Sequence, residues 1–228
     1  MFSYKISHIV NRGVDKRDIF LDDQDYFRFV HDLFEFNDQE RVNSTFYTFQ
    51  KSNDLRERKI ERERRKRKLL VDVLAFCLMP NHYHLLLSPR VQNGVPLFMQ
   101  KLNAGYVKYF NEKNKRRGTL FEGRYKSILV TDDAHFIHLP YYIHLNPLDL
   151  VMPEWRERKI QDPEKALRFL ESYRWSSYPD YVGTKNFPSV TNREFLSSFL
   201  SGSDEYRKET ARWLRDLDLV SFHHLTLE

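Results

Sequence analysis

The chain has 228 residues, of which 41% are hydrophobic and 30% are charged, so it can build one good core and is not a disordered protein. Cys77 is the only cysteine, which excludes an internal disulfide and a zinc site made of thiolates. The first residues lack a signal-peptide layout and no stretch approaches the ~20 apolar residues of a membrane span, so we expect a cytoplasmic protein.

The net charge of +5 is concentrated in one segment. Residues Lys51 to Leu69 contain ten Lys or Arg and four Asp or Glu, whereas the rest of the chain carries 27 basic and 28 acidic residues. A concentrated positive segment is typical of contact with a phosphate backbone, although a solvated helix laced with charges gives the same pattern. We predict that residues 38–69 form a basic, partly helical insertion.

The first half of the chain alternates between strand and helix patterns. Residues 3–11 alternate with a period of two, which predicts a strand, and residues 22–37 carry apolar side chains at helical spacing. After the insertion, residues 71–79 and 82–88 predict two strands joined by a turn at Pro80-Asn81. This pair is interpreted as a hairpin.

The next elements complete a recognisable order. Residues 94–113 predict a helix, residues 125–130 a strand, and residues 133–146 a further helix that ends before Pro147. The order strand, helix, strand, strand, helix, strand is that of a ferredoxin-like βαββαβ sandwich. We therefore predict an α+β fold with an antiparallel sheet and one added helix, which carries Tyr142.

The rest of the chain is predicted to be an appendage. Residues 192–200 and 204–217 show helical patterns, which indicates a helical C-terminal tail. We divide the chain into residues 1–150, the main domain with the insertion inside it, and residues 151–228, a partly helical extension packed on that domain.

Two histidines stand at the start of the second strand of the hairpin. His82 and His84 are two residues apart, so their side chains point to the same face of a strand. Two imidazoles on one face are a natural start for a divalent-metal site. The His-x-His pattern also occurs by chance on ordinary strands, so the pair alone leaves both interpretations open.

The added helix carries a second pair of interest. Tyr142 and Asn146 are four residues apart, which places them on one helical face. A tyrosine can supply a nucleophile, and an asparagine oxygen can complete a site for a hard metal ion. The spacing alone fits an ordinary surface helix that ends with an asparagine before Pro147 at least as well.

Several runs taken together resemble a known family. The run Phe76-Cys-Leu-Met-Pro-Asn-His-Tyr-His-Leu-Leu-Leu resembles the His-hydrophobic-His (HUH) signature of single-tyrosine transposases of the insertion-sequence type. Tyr142-Ile-His-Leu-Asn-Pro147 resembles their tyrosine helix. The smaller runs resemble the REP-associated tyrosine transposases, which act on repetitive extragenic palindromes: His8–Gly13, Gly118–Ser127 and Trp175–Tyr178. The resemblance spans about residues 4–183.

The resemblance implies roles for the residues singled out above. His82 and His84 match the metal-binding pair, Tyr142 the nucleophile, and Asn146 the polar residue that completes the metal site. The cofactor is expected to be Mg²⁺ or Mn²⁺. Two other tyrosines are rival nucleophiles: Tyr141, which points about 100° away around the helix, and Tyr125.

The implied activity is that of a metal-dependent single-strand DNA endonuclease and strand transferase that forms a 5′-phosphotyrosine. The expected partner is single-stranded DNA beside a hairpin or palindrome, and a monomer and a homodimer both remain open. A catalytically silent hairpin-binding protein is the alternative, and an RNA-binding module of the same fold would leave the histidine pair unexplained.

Basic residues outside the insertion are candidate phosphate contacts, although each is also compatible with ordinary solvated surface: Arg12, Lys115, Arg116, Arg117, Arg124 and Lys126. The chain also departs from the family pattern, since position 141 is usually basic and Asp149-Leu150 stands where a basic-small pair is usual. These departures bear on substrate preference.

Overall fold

The computed structural model describes residues 5–40, 67–131, 133–157, 159–197 and 202–216. These residues form a four-stranded antiparallel sheet in the order β2-β3-β1-β4. The strands are β1 (Ile6–Arg12), β2 (Val71–Met79), β3 (His82–Pro89) and β4 (Lys126–Val130).

Two helices connect the strands in the predicted manner. Helix α1 (Asp23–Glu35) follows β1, and helix α2 (Gly94–Lys113) lies between β3 and β4. The connectivity is βαββαβ, which confirms the predicted α+β, ferredoxin-like fold. Residues 41–66, which make up most of the predicted basic insertion, lie outside the described residues.

Local chemistry explains where α1 begins and how it packs. The side chain of Asp22 accepts a hydrogen bond from the backbone N–H of Asp25 (3.1 Å), which caps the helix. At the other end, a Cβ placed on Gly105 of α2 would lie 2.3 Å from the ring of Phe36. A larger residue at this position would therefore force the ring of Phe36 to move.

The register of the strands divides the sheet into two faces. Val10 of β1 and Cys77 of β2 lie directly opposite His84, and Arg12 lies opposite His82. Directly opposite residues point to the same face, so His82 and His84 share a face with His8 and Val10. We call this the histidine face and the other, which α1 and α2 cover, the helical face.

The helical face is a conventional apolar core. Side chains of β2 and β3 pack there against α1 and α2 in one cluster of buried residues, which includes Phe29, Leu33, Phe76, Leu78, Tyr83, Leu85, Leu87, Phe98, Leu102 and Tyr106. Its position confirms that the period-two alternation of β3 points Tyr83 and Leu85 away from the histidines.

The histidine face is covered by helix α3 (Asp133–Leu145), which carries Tyr142 and contains Pro140 in its interior. The predicted helix extends to residue 146, whereas α3 ends at Leu145 and the chain continues as a 3-10 helix over Asn146–Leu150. Pro147, in the first turn of that 3-10 helix, has no N–H to continue the α-helical hydrogen-bond pattern.

The elements after α3 share a core with it. They are a 3-10 helix at Pro153–Glu157, α4 (Pro163–Ser172), α5 (Tyr178–Tyr181), α6 (Arg193–Ser197) and α7 (Ser203–Asp216). The buried side chains of Leu167 and Tyr206 belong to the same apolar cluster as Cys77 and Leu86 of the sheet. Residues 198–201 and 217–228, parts of the predicted tail, lie outside the described residues. None of the described helices is long and apolar enough to cross a membrane.

Candidate active site

The turn before β3 holds the histidine pair in place. The backbone N–H of Gly13 donates to the carbonyl of Asn81 (2.8 Å), and that of Ile19 donates to the carbonyl of Pro80 (2.8 Å). The turn is thereby fixed to the end of β1. His82 and His84 follow it directly, with exposed fractions of 7% and 0%, and their ring centroids are 5.0 Å apart.

Both imidazoles use the same nitrogen for a hydrogen bond within the protein. Nδ1 of His82 lies 2.6 Å from Oδ1 of Asn81, and Nδ1 of His84 lies 3.0 Å from Nε2 of His8. An amide oxygen can only accept, so His82 carries its proton on Nδ1 and presents the lone pair of Nε2. Nε2 is therefore the nitrogen of His82 that can bind a metal ion.

Tyr142 of α3 lies against the histidines. Its ring is edge-on to that of His84, with centroids 6.0 Å apart and planes at 84°, and edge-on to that of His8 at 6.1 Å. The side chain is 5% exposed. The structure thus brings together His82, His84 and Tyr142, three residues that the sequence singled out separately.

The two rival tyrosines lie elsewhere. Tyr141 stacks on Tyr206 and Trp213 of α7, with centroid distances of 4.7 Å and 5.3 Å, and burial raises its pKa well above the usual range. Tyr125 packs against the cluster of the helical face. Of the three tyrosines, Tyr142 is the one that the structure places at the histidine pair.

Asn146 is buried in a different environment from the one predicted. Its Nδ2 donates to the backbone carbonyl of Tyr142 (2.8 Å), and its Oδ1 accepts from Nη2 of Arg156 (3.2 Å). Arg156 also donates to both carboxylate oxygens of Asp149, at 2.9 Å and 2.6 Å. The oxygen proposed as a metal ligand therefore faces a guanidinium group, which competes with a cation for it.

The chemistry of these donors fits a divalent cation. Two imidazole nitrogens and one amide oxygen are ligands that such ions accept. Across the residues that the structure describes, no group of three or more His, Cys, Asp or Glu side chains is arranged to hold a metal ion. The pair would therefore need oxygen ligands from Asn146, from water or from a substrate.

The predicted phosphate contacts separate into two groups. Arg12 lies opposite His82, and Lys126 pairs with Val10, which lies opposite His84, so both share the histidine face. Arg124 is exposed just before β4. Lys115, Arg116 and Arg117 follow α2 on the other side of the sheet, where Arg116 lies over the ring of Phe110 at 5.6 Å.

Two residues of the site were missed from sequence. His8 shares the alternating pattern of β1 with Ile6 and Val10, but only the register of β1 against β3 brings it to His84. Arg156, whose guanidinium lies 5.9 Å from the centroid of the Tyr142 ring, comes from beyond the predicted main domain. Nothing in its sequence context indicates this position.

The comparisons with known proteins agree with the motifs. Residues 49–146 match the model of the family described as "Transposase IS200 like", and this segment contains His82, His84, Tyr142 and Asn146. This match supports a transposase-type DNA-binding function. The match confirms the predicted resemblance of this segment to the IS200-like transposases.

The chain is similar to one solved structure described as follows. It is described as a REP-associated tyrosine transposase bound to a REP hairpin, and the match covers 83% of this chain and 88% of that chain at 12% identity, with a TM-score of 0.46. No curated protein matches the chain.

Proposed function

We propose that the chain is a metal-dependent single-strand DNA endonuclease and strand transferase of the HUH type. Its nucleophile is Tyr142, and its substrate is single-stranded DNA beside a hairpin similar to a repetitive extragenic palindrome. The observation that carries the proposal is the position of the Tyr142 ring, edge-on to His84 on the sheet face that also carries His82.

The two predicted domains have different proposed roles. We propose that residues 1–150 form the catalytic domain and that residues 151–228 are an extension of it. The contacts of Arg156, whose side chain reaches Asn146 and the ring of Tyr142, support a contribution of the extension to the site.

The histidine pair is the proposed metal site. His82 and His84 would hold Mg²⁺ or Mn²⁺, and Asn146, whose oxygen now accepts from Arg156, would be the third protein ligand. The bound cation supplies charge neutralisation and polarisation at the scissile phosphate.

The reaction itself takes place at the phenol. The oxygen of Tyr142 attacks the phosphorus, the bond between phosphorus and the 3′ oxygen breaks, and the phosphate stays on the tyrosine. The phenol loses its proton and the leaving 3′ oxygen gains one, so the products are a 5′-phosphotyrosine and a free 3′-OH. The bond energy is kept in the phosphotyrosine, and a second 3′-OH can reverse the step.

Charged side chains support this step. The guanidinium of Arg156, 5.9 Å from the ring centroid, provides positive charge near the phenol as negative charge develops on the reacting oxygens. Arg12 and Lys126 share the histidine face with the pair, on β1 and β4, and contact phosphates of the bound strand.

The test is a covalent trapping assay. A labelled oligonucleotide with a hairpin and a single-stranded flank is incubated with Mn²⁺, with and without EDTA. We expect a covalent protein–DNA adduct from the wild type and from the matched control Tyr141→Phe, and none from Tyr142→Phe or in EDTA. Tyr142→Phe should still bind the hairpin, since it loses one hydroxyl.

Each other outcome selects a different function. An adduct from Tyr142→Phe would remove Tyr142 as the nucleophile. Hairpin binding with no adduct under any metal would favour the catalytically silent DNA-binding protein. Preferential binding of single-stranded RNA would favour the RNA-binding module.

A further inference from the structure

We infer that His8 is a positioning residue for the metal pair: it accepts the Nδ1 proton of His84 and so fixes the tautomer in which Nε2 of His84 can bind a cation. This inference rests on the metal site of the proposed function. It assigns a role to a buried histidine that the mechanism above does not use.

The geometry is that of a side-chain hydrogen bond between two strands. His8 is 1% exposed and lies on β1 two residues from Val10, which faces His84 in the register. Its Nε2 is 3.0 Å from Nδ1 of His84, and the two rings are nearly parallel, with planes at 16°. The contact is enclosed in the core, where such a bond is protected from competing water.

A neutral imidazole has one N–H, so this hydrogen bond allows two arrangements. If His8 donates, Nδ1 of His84 accepts, the proton of His84 sits on Nε2, and His84 cannot coordinate a metal through that nitrogen. If His84 donates, its Nε2 carries a lone pair. Metal binding by His84 through Nε2 therefore requires His8 as the acceptor.

His82 also has a hydrogen-bond acceptor at Nδ1. Its Nδ1 faces Oδ1 of Asn81 at 2.6 Å, and that oxygen can only accept. Both members of the pair thus have an acceptor at Nδ1: an amide from the turn for His82, and an imidazole from β1 for His84. The acceptor of His82 is its neighbour in sequence, whereas His8, the acceptor of His84, lies on another strand.

The other role open to His8 is that of a third ligand. In that case Nε2 of His8 and Nδ1 of His84 would both face the cation, whereas Nδ1 of His82 is occupied by Asn81. Within the described ranges, no three His, Cys, Asp or Glu side chains are arranged around a common metal position. The geometry assigns His8 to His84 rather than to the cation.

The experiment measures Mn²⁺ affinity by titration calorimetry in the absence of DNA. His8→Leu removes the acceptor and keeps an apolar volume, and His8→Gln restores an acceptor. We expect His8→Leu to bind Mn²⁺ about 10- to 100-fold more weakly than the wild type, and His8→Gln to recover most of the affinity. His144→Gln changes another buried histidine, which pairs with Tyr206 and Ser177 rather than with His84, and should bind Mn²⁺ like the wild type.

Thermal unfolding in EDTA separates positioning from simple packing. Wild-type affinity in folded His8→Leu overturns the inference. Equal weakening in His8→Leu and His8→Gln, with a matching fall of Tm in EDTA, indicates a packing role and also overturns it. If the wild type binds no more Mn²⁺ than His82→Ala, the proposed metal site itself fails.

The tautomer can also be observed directly in the wild type. Long-range ¹H–¹⁵N correlation spectra of histidine-labelled protein with Zn²⁺, a diamagnetic probe, report which ring nitrogen of His84 carries hydrogen. We expect hydrogen on Nδ1. Hydrogen on Nε2 in the metal-bound protein would overturn the inference without relying on any variant.

Discussion

The two faces of the sheet differ in what they bury. On the helical face, α1 and α2 cover an apolar cluster in which Tyr83 donates its hydroxyl hydrogen to Asn103 at 2.6 Å. On the histidine face, the described residues bury His8, His82 and His84. Burying a polar group costs free energy unless it is hydrogen-bonded. We therefore expect the histidine face to contribute less to the free energy of unfolding than the helical face. One strand, β3, serves both faces because its side chains alternate.

The largest expected effect is on the helical face. Phe76 is fully buried there, and Phe76→Ala should lower the free energy of unfolding by about 3–5 kcal/mol, through lost burial and the cavity left behind. His84→Leu, on the histidine face, should cost less, about 1–3 kcal/mol, because it leaves buried His8 without the hydrogen bond to His84 but keeps an apolar volume. Chemical denaturation in EDTA measures both. Equal losses would contradict the contrast between the faces.

Metal binding should act through the histidine face alone. Mn²⁺ at 100 times its dissociation constant should stabilise the wild type by about 2.7 kcal/mol, because the ion binds only the folded protein. His82→Ala and His84→Ala should lose this gain. The matched control is Tyr83→Phe, which lies between them in sequence but on the other face, and should keep it. Denaturation with and without Mn²⁺ decides, and loss of the gain in Tyr83→Phe would argue against a local site.

The pH dependence of stability should report the buried imidazole of His144. Burial lowers its pKa from 6.5 to about 3, and its ring nitrogens lie 2.7 Å from the hydroxyls of Tyr206 and Ser177, with the rings of Tyr178 and Tyr181 beside it. Below pH 6.5 the unfolded chain takes up a proton that the folded chain does not. Stability therefore falls as the pH is lowered from 6.5 towards 3, by about 2 kcal/mol at pH 5.

The control for this effect is His144→Gln, which cannot take up that proton. Its free energy of unfolding, measured in EDTA, should fall between pH 7 and pH 5 by about 2 kcal/mol less than that of the wild type. Parallel curves for the two proteins would show that His144 does not contribute to the pH dependence of the free energy of unfolding.

The smallest expected effect concerns DNA and the direction from which it approaches. Lys126→Ala should reduce the salt dependence of hairpin binding by about one unit of slope, because one phosphate contact is lost. Lys108→Ala is the matched control, since Lys108 is an exposed lysine of α2 on the other side of the sheet. Affinity is measured over a series of salt concentrations. The same change of slope in both variants would mean that the histidine face is not the one that meets DNA.

Much of the fold could be predicted from periodicity because each element keeps its own pattern. Strand β3 alternates His82, Tyr83 and His84, and this alternation decides the two faces before any partner is known. The ends of the elements depend on partners elsewhere in the chain or on single residues such as proline. Strand β1 continues to Arg12 because that residue still pairs with His82, and α3 stops at Leu145 because Pro147 follows.

The sequence by itself determined the types of side chain available for chemistry and the local faces they share: the histidine pair on a strand, and Tyr142 with Asn146 on a helix. Only the tertiary structure decided which of these meet. In the structure Tyr142 contacts His84, and Tyr141 packs on α7. His8 from β1 contacts His84, and Arg156 from beyond residue 150 contacts Asn146. The physical reason is that spacing along the chain fixes directions within one element, whereas contacts between elements depend on strand register and on which apolar surfaces pack together.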